Sequence, residues 1–166
     1  MALASTTRAE HPLTLPVVLL VGSVAPLAVA FASQYLGSLQ PCELCVWQRW
    51  GYGVTILLAL VTFALPRQRR HWGALATSLA LLGVAGVALF HVGVEQHWWQ
   101  GFASCTGNLD FSKSTADLEK QLMATPVIPC DRPAWTMLGI SMAGYDFAYA
   151  LALGLFGFVA ALRGPK

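Results

Sequence analysis

Between Glu10 and Glu43 the chain carries no formally charged side chain, and Leu, Val and Ala dominate the stretch. A hydrocarbon core about 30 Å thick is crossed by roughly 20 apolar residues of helix, so such a run reads as a membrane span. Composition extends the argument to the whole chain. Of 166 residues, 56% are hydrophobic and 11% charged, against about 25% charged in a typical soluble domain. An ordinary soluble globule is excluded. The net charge of +2 comes from ten dispersed Lys and Arg, which build no clustered basic surface and so exclude nucleic acid as a partner.

Four windows are long and apolar enough to span: about 13–35, 46–65, 72–91 and 144–162. The expected fold is therefore an all-α membrane protein, a single domain over 1–166. Its four transmembrane helices form a bundle, with a long outer loop, about 92–143, between the third and fourth. Arg49 and Asp146 are the charges inside the second and fourth windows. Small residues recur at helical spacing, as Ala76, Ala80, Gly83 and Ala88, and again as Gly154 and Gly157, which lets helices approach closely in lipid. A signal peptide competes for the first window, because Arg8 precedes it and Ala28-Val29-Ala30 resembles a cleavage site. Glu10 and His11 do not suit a basic leader, however, and the run exceeds the usual apolar core of roughly 7–15 residues.

Basic residues in short loops set the orientation. Arg8, Arg67, Arg69, Arg70, Arg163 and Lys166 fall on one face, which places both termini in the cytoplasm. Arg49, Lys113, Lys120 and Arg132 fall on the other, with seven of the eight acidic residues. Tyr35, Trp47, Trp50, Trp98, Trp99, Trp135 and Tyr145 then collect as an aromatic belt at the outer interface. In the long loop, Ser114 and Asp117 ahead of Leu118, Leu122 and Met123 predict a capped amphipathic helix over 114–123. The apolar segment 134–143, broken by Gly139 and Ser141, is expected to lie along the membrane surface.

All four cysteines, Cys42, Cys45, Cys105 and Cys130, fall on the outer side. In a bacterial cell that side is oxidising, and disulfides are its default chemistry. Three pairings are possible. Spacing favours Cys42 with Cys45 and Cys105 with Cys130. The first pair closes too short a loop to restrict the unfolded chain, whereas the second could contribute roughly 3 kcal/mol, so the Cys42-Glu43-Leu44-Cys45 motif reads as reactive. Cys45 opens the second helix, where free amides and the helix dipole favour a thiolate. Arg49 lies one turn on, on the same face; it either snorkels to headgroups or faces a pocket, a thiolate or a polar ligand. His91 reaches the same depth from the third helix, and His97 competes with it. Glu95 and Asp146 are expected to meet basic residues or water at the rim. A four-cysteine zinc site is disfavoured, because Cys105 and Cys130 form no second short-spaced ligand pair, and no metal is expected.

These residues together resemble a family. Pro41-Cys42-Glu43-Leu44-Cys45-Val46-Trp47-Gln48-Arg49 follows one membrane helix, a second cysteine pair lies between helices three and four, and Cys130-Asp131-Arg132-Pro133-Ala134-Trp135-Thr136-Met137-Leu138-Gly139-Ile140-Ser141 precedes the last helix. The pattern is similar to the DsbB family, quinone-linked thiol oxidases of the bacterial inner membrane, over nearly the whole chain. The resemblance implies that Cys105–Cys130 is the disulfide attacked by a reduced, DsbA-like thioredoxin-fold protein, with Cys105 making the mixed disulfide. It implies that electrons pass to Cys42–Cys45 and that Cys45 delivers them to bound ubiquinone or menaquinone, with Arg49 and His91 at the quinone site. The loop 106–129 departs from the family pattern, which leaves partner choice open. Two other readings stand beside it. One is a reductase like vitamin K epoxide reductase, although there the loop pair precedes the membrane pair. The other is a non-enzymatic transporter or metal-binding protein with structural disulfides.

Overall fold

The computed structural model describes residues 13–102, 105, 114–124 and 128–163. Among these, α1 runs over Thr14–Tyr35, α2 over Glu43–Ala64, α3 over Arg70–Glu95, α4 over Thr115–Ala124 and α5 over Met142–Arg163. A 3₁₀ turn, Arg67–Arg69, joins α2 to α3, and a hairpin of β1, Thr136–Met137, and β2, Ile140–Ser141, precedes α5. The helices α1, α2, α3 (with its leading turn) and α5 are each long and apolar enough to cross a membrane. Arg67, Arg69, Arg70 and Arg163 lie at one end of these helices, and the start of α2 and end of α3 lie at the other.

The bundle is organised around α3, which packs most extensively on α5 and α2, while α1 leans on α2 and more lightly on α5. Leu19, Tyr52, Leu81, Val84, Ala85 and Ala150 form its central cluster. Val21, Leu57 and Phe156 point outward and are each more than half exposed, the arrangement expected where the solvent is lipid rather than water.

Close helix contact depends on missing side chains. A Cβ at Gly157 would sit 2.5 Å from Ser78 Oγ and 2.7 Å from Leu19 Cδ2, and one at Gly154 would sit 2.9 Å from Leu82 Cδ2. On α3 the packing stripe differs from the expected one. Ala76 and Gly83 are exposed, with nothing within 4 Å of a Cβ at Gly83, and the inward face is Ala74, Thr77, Ser78, Leu81, Ala85 and Ala88. Hydroxyls on that face are affordable because they bond back along the helix: Thr77 donates to the Gly73 carbonyl at 2.9 Å and Ser78 to that of Ala74 at 2.8 Å.

Breaks in the helical ladder are repaired individually. Pro26, inside α1, has no N–H to give the Gly22 carbonyl. The Tyr149 hydroxyl of α5 donates to that carbonyl at 2.9 Å. The end of α3 lies beyond the expected 91, at Glu95, where Trp98 N–H donates to Gly93 O at 2.8 Å and His97 N–H to Val94 O at 3.1 Å. His97 takes the left-handed conformation this ending requires, with φ of 58°. The Trp99 ring lies directly over Gly93, where any Cβ would collide with it.

Outside the spans, Ser114 caps α4 as its sequence predicts: its hydroxyl accepts from Asp117 N–H at 3.3 Å and donates to the Asp117 carboxylate at 2.7 Å. The 134–143 segment carries a feature that its apolar run conceals. Thr136 pairs with Ser141 and Met137 with Ile140, and the two turn residues, Leu138 and Gly139, have φ of 51° and 79°. Positive φ at both central positions matches the twist of a two-residue hairpin.

Helix contact through Gly157 predicts an asymmetry. Gly157→Leu should destabilise the bundle by about 1–3 kcal/mol through overpacking against Ser78 and Leu19, while Gly83→Leu should leave stability nearly unchanged. Thermal unfolding of the two variants in detergent checks this.

Candidate functional site

The site starts from the capping of α2. Cys42, which follows Pro41, has a backbone (φ −75°, ψ 173°) that is not yet helical, so its side chain turns back over the first turn. There Cys42 Sγ accepts a hydrogen bond from Cys45 N–H at 3.3 Å. Sulfur thus takes the place that Ser or Asp holds in most caps, and the helix begins at Glu43 rather than the expected 46. The same geometry brings the two sulfurs within 2.8 Å of each other, both as free thiols. The hydrogen bond with Cys45, and then burial, push the Cys42 thiol pKa above the ordinary thiol range.

From α3, His91 enters the same cluster almost fully buried, with Nε2 3.5 Å from Cys42 Sγ and 3.7 Å from Glu95 Oε1. Cys105 and Cys130 form a disulfide with Cα atoms 5.3 Å apart, and Cys130 N–H donates to Cys105 O at 2.8 Å. Both are wholly buried and pack with Cys42, Leu44 and Val94 in one cluster, to which Cys45 adds its partly buried side chain. The two cysteine pairs, far apart in sequence, are therefore neighbours. With Cys105 and Cys130 bonded to each other, they are not available as ligands for a four-cysteine zinc site. Cys42 Sγ, Cys45 Sγ and a His91 nitrogen do lie within 4.8 Å of one another.

Beside the sulfurs is a cavity of about 330 Å³ between α1, α2, α3 and α5, lined also by Ile128 and Pro129. Ala25, Pro26, Leu27 and Val29 supply an apolar wall, while Cys45, Gln48, Arg49, Tyr52, His91 and Asp146 line it with polar groups. Arg49 does not snorkel away: its guanidinium donates to Gln34 Oε1 and, at 3.0 Å, to Ala30 O of α1, and lies 5.0 Å from the centre of the Phe31 ring. These contacts fix the guanidinium against the cavity wall. Of the two histidines, His91 lines the cavity and His97 is exposed at the end of α3.

Glu95 meets a basic residue, as expected, in His91, and also faces Ser141, but it is buried rather than at the rim. Asp146 meets a different partner, its Oδ1 accepting from the Tyr52 hydroxyl at 2.7 Å. Gln34, Gln48 and Tyr52 were not singled out by the sequence reading. Gln48 and Tyr52 had a signal available, since they follow Cys45 by three and seven residues and so share its helix face. Gln34 had none, because its role depends on how α1 packs against α2.

Unpaired buried polar atoms, Gln48 Nε2, Asp146 Oδ2, His91 Nδ1 and Glu95 Oε2, set against an apolar wall, suit a largely apolar organic ligand that carries a few polar groups. A buried thiol pair at the chamber's rim, packed on a second disulfide, suits thiol–disulfide exchange. Comparison with known proteins agrees on that chemistry. Residues 12–160 match the family model described as disulfide bond formation protein DsbB. Disulfide bond formation protein B of Dechloromonas aromatica is 31% identical over 84% of this chain and 87% of its own, and that of Stutzerimonas stutzeri is 29% identical over 81% and 85%. An uncharacterized protein of Rickettsia prowazekii, RP370, is 27% identical over 86% and 83%. No solved structure matches the chain. With the family model covering most of the sequence and four spanning helices beneath the cysteines, this chain belongs to the DsbB family of disulfide bond formation proteins, as a multi-pass membrane disulfide oxidoreductase.

Proposed function

We propose that this protein is a protein-thiol:quinone oxidoreductase of the bacterial inner membrane, reoxidising a periplasmic DsbA-like thioredoxin-fold protein and passing two electrons to ubiquinone or menaquinone. One observation carries the reading: the capped Cys42–Cys45 pair packs against the Cys105–Cys130 disulfide on one side and opens onto an apolar, membrane-level cavity on the other. The arginines at the opposite end of the bundle support an orientation with both termini cytoplasmic and all four cysteines periplasmic.

In this reading a partner thiolate attacks Cys105, forming a mixed disulfide that the partner's second thiol resolves, leaving Cys105 and Cys130 as thiols. These reduce a Cys42–Cys45 disulfide in turn. A bound quinone supplies an acceptor for two electrons and two protons. Cys45, Arg49 and His91 would hold it. Cys45 lines the cavity one helical turn from Arg49 on the same face, so it is the sulfur placed to react with the quinone. His91 Nε2, 3.5 Å from Cys42 Sγ, is within reach of the Cys42 proton. The guanidinium of Arg49 offers fixed positive charge and donors where negative charge develops. Each cycle turns one dithiol into one disulfide.

A metal-binding role has a single observation in its favour, the clustering of Cys42, Cys45 and His91 ligand atoms. It predicts no quinone loss. The deciding measurement follows quinone absorbance with purified protein and a reduced DsbA-like substrate. Wild type should consume quinone and Cys45→Ser should not. Cys105→Ser should fail with the protein substrate yet still reduce quinone when dithiothreitol supplies electrons directly to the Cys42–Cys45 pair. Quinone that stays oxidised with folded wild type would overturn the oxidase reading.

Arg49 generates a separate expectation. Arg49→Met should raise the KM for quinone about tenfold and lower kcat, with Arg49→Lys recovering only part of the loss because one ammonium cannot bridge Gln34, Ala30 and the ligand together. Steady-state kinetics at varied quinone concentration measures both.

A further inference from the structure

The α2 face that carries Cys45 continues inward as Gln48, Arg49 and Tyr52, at three, four and seven residues, and all four line the same cavity. Seven residues of helix rise about 10 Å, so Tyr52 marks the end of the chamber remote from the sulfur. Opposite it, α5 contributes Asp146. One carboxyl oxygen is accounted for, since Oδ1 accepts from the Tyr52 hydroxyl at 2.7 Å. The other, Oδ2, is buried with no partner among the described residues, and so is Gln48 Nε2.

Helix anchoring explains Oδ1 alone. A neutral asparagine would serve that purpose equally, and an ionisable group among transmembrane helices is costly to keep. Neighbouring Tyr149 does not complete the carboxyl, because its hydroxyl donates to the Gly22 carbonyl exposed by Pro26. Four atoms lining the chamber are thus unpaired: His91 Nδ1 and Glu95 Oε2 beside the sulfurs, and Gln48 Nε2 and Asp146 Oδ2 farther along α2 and α5. Each leaves a desolvation penalty that a ligand oxygen would relieve.

We propose that Asp146, braced by Tyr52 and accompanied by Gln48, is the second anchor of the quinone site, binding the ring oxygen remote from Cys45 and exchanging a proton with it. The proposal rests on the quinone reading above. Gln48 Nε2–H donates to that oxygen while it is a carbonyl, and Asp146 Oδ2 pairs with it through a shared proton, accepting from the hydroxyl that replaces it. The account balances. Closing the Cys42–Cys45 dithiol to a disulfide releases two electrons and two protons; the acceptor takes both pairs, Asp146 giving one proton to the far oxygen and regaining one of those released at the sulfurs.

The test separates binding from turnover. Full-length protein in detergent, with both disulfides intact and no thiol present, is titrated with a short-chain ubiquinone analogue and followed by tryptophan fluorescence and by infrared difference spectroscopy. Wild type should bind and show a carboxyl band that shifts on binding. Asp146→Leu should bind about tenfold more weakly, equivalent to about 1.4 kcal/mol. Asp146→Asn, which keeps an acceptor for Tyr52, should bind within a few-fold of wild type, lose the infrared band, and lower kcat about a hundredfold at little cost in KM. Should the Leu variant not fold, the Asn variant and the infrared band decide alone. Wild-type binding with no carboxyl band and with Asn turnover unchanged would overturn this proposal and leave the quinone reading standing. Failure of folded wild type to bind the analogue would overturn both.

Discussion

A helix that starts at the edge of a membrane must find partners for its first amides, and α2 finds one in the Cys42 sulfur. Much else follows from that single hydrogen bond. It draws Cys42 back over the first turn, which puts its Sγ 2.8 Å from that of Cys45. It also sets the start of the helix, and with it the register in which Cys45, Gln48, Arg49 and Tyr52 share a face toward α1 and α5.

The rest of the bundle obeys the same requirement that backbone and polar groups be satisfied without water. Thr77 and Ser78 bond back to their own helix, and Tyr149 reaches across to the carbonyl that Pro26 leaves free. That last contact shapes the site as well. It draws α5 against α1 at Gly22, where a Cβ would lie 2.6 Å from Leu153, and Pro26 itself lines the cavity just beyond. Against this background, the unpaired atoms that line the cavity stand out, Gln48 Nε2 and Asp146 Oδ2 as well as His91 Nδ1 and Glu95 Oε2.

What could be read from the sequence was whatever depends on local pattern. Uncharged runs marked the four spans, Ser114 and Asp117 marked the start of α4, and the cysteine spacing with Arg49 one turn on marked a face of α2. Contacts between elements were not legible. Small residues alone could not say that Gly154 and Gly157 pack inward while Ala76 and Gly83 face out, because the inward face of α3 is decided by where α2 and α5 dock. The hairpin at Leu138 and Gly139 was hidden by its apolar composition, since Leu is seldom found at positive φ. Asp146 was visible as a charge out of place, but its meeting with Tyr52 joins residues on helices two spans apart.

Packing both cysteine pairs into one cluster has a consequence for the order of events on the proposed reading. Cys105 and Cys130 are wholly shielded, resting on Leu44 and Val94 beside Cys42. That arrangement favours exchange between the two pairs, because sulfur must approach sulfur, and it keeps the disulfide from casual reduction by small thiols. A protein substrate cannot attack a sulfur it cannot reach, so exchange with the partner requires this packing to loosen. The disulfide confines that loosening, since it ties Cys105 to Cys130. The membrane pair has no such freedom. Cys42 and Cys45 are bound into a capped helix end held by α1 and α3 neighbours. The division of labour between a movable pair and a fixed one is therefore built into what each pair is attached to.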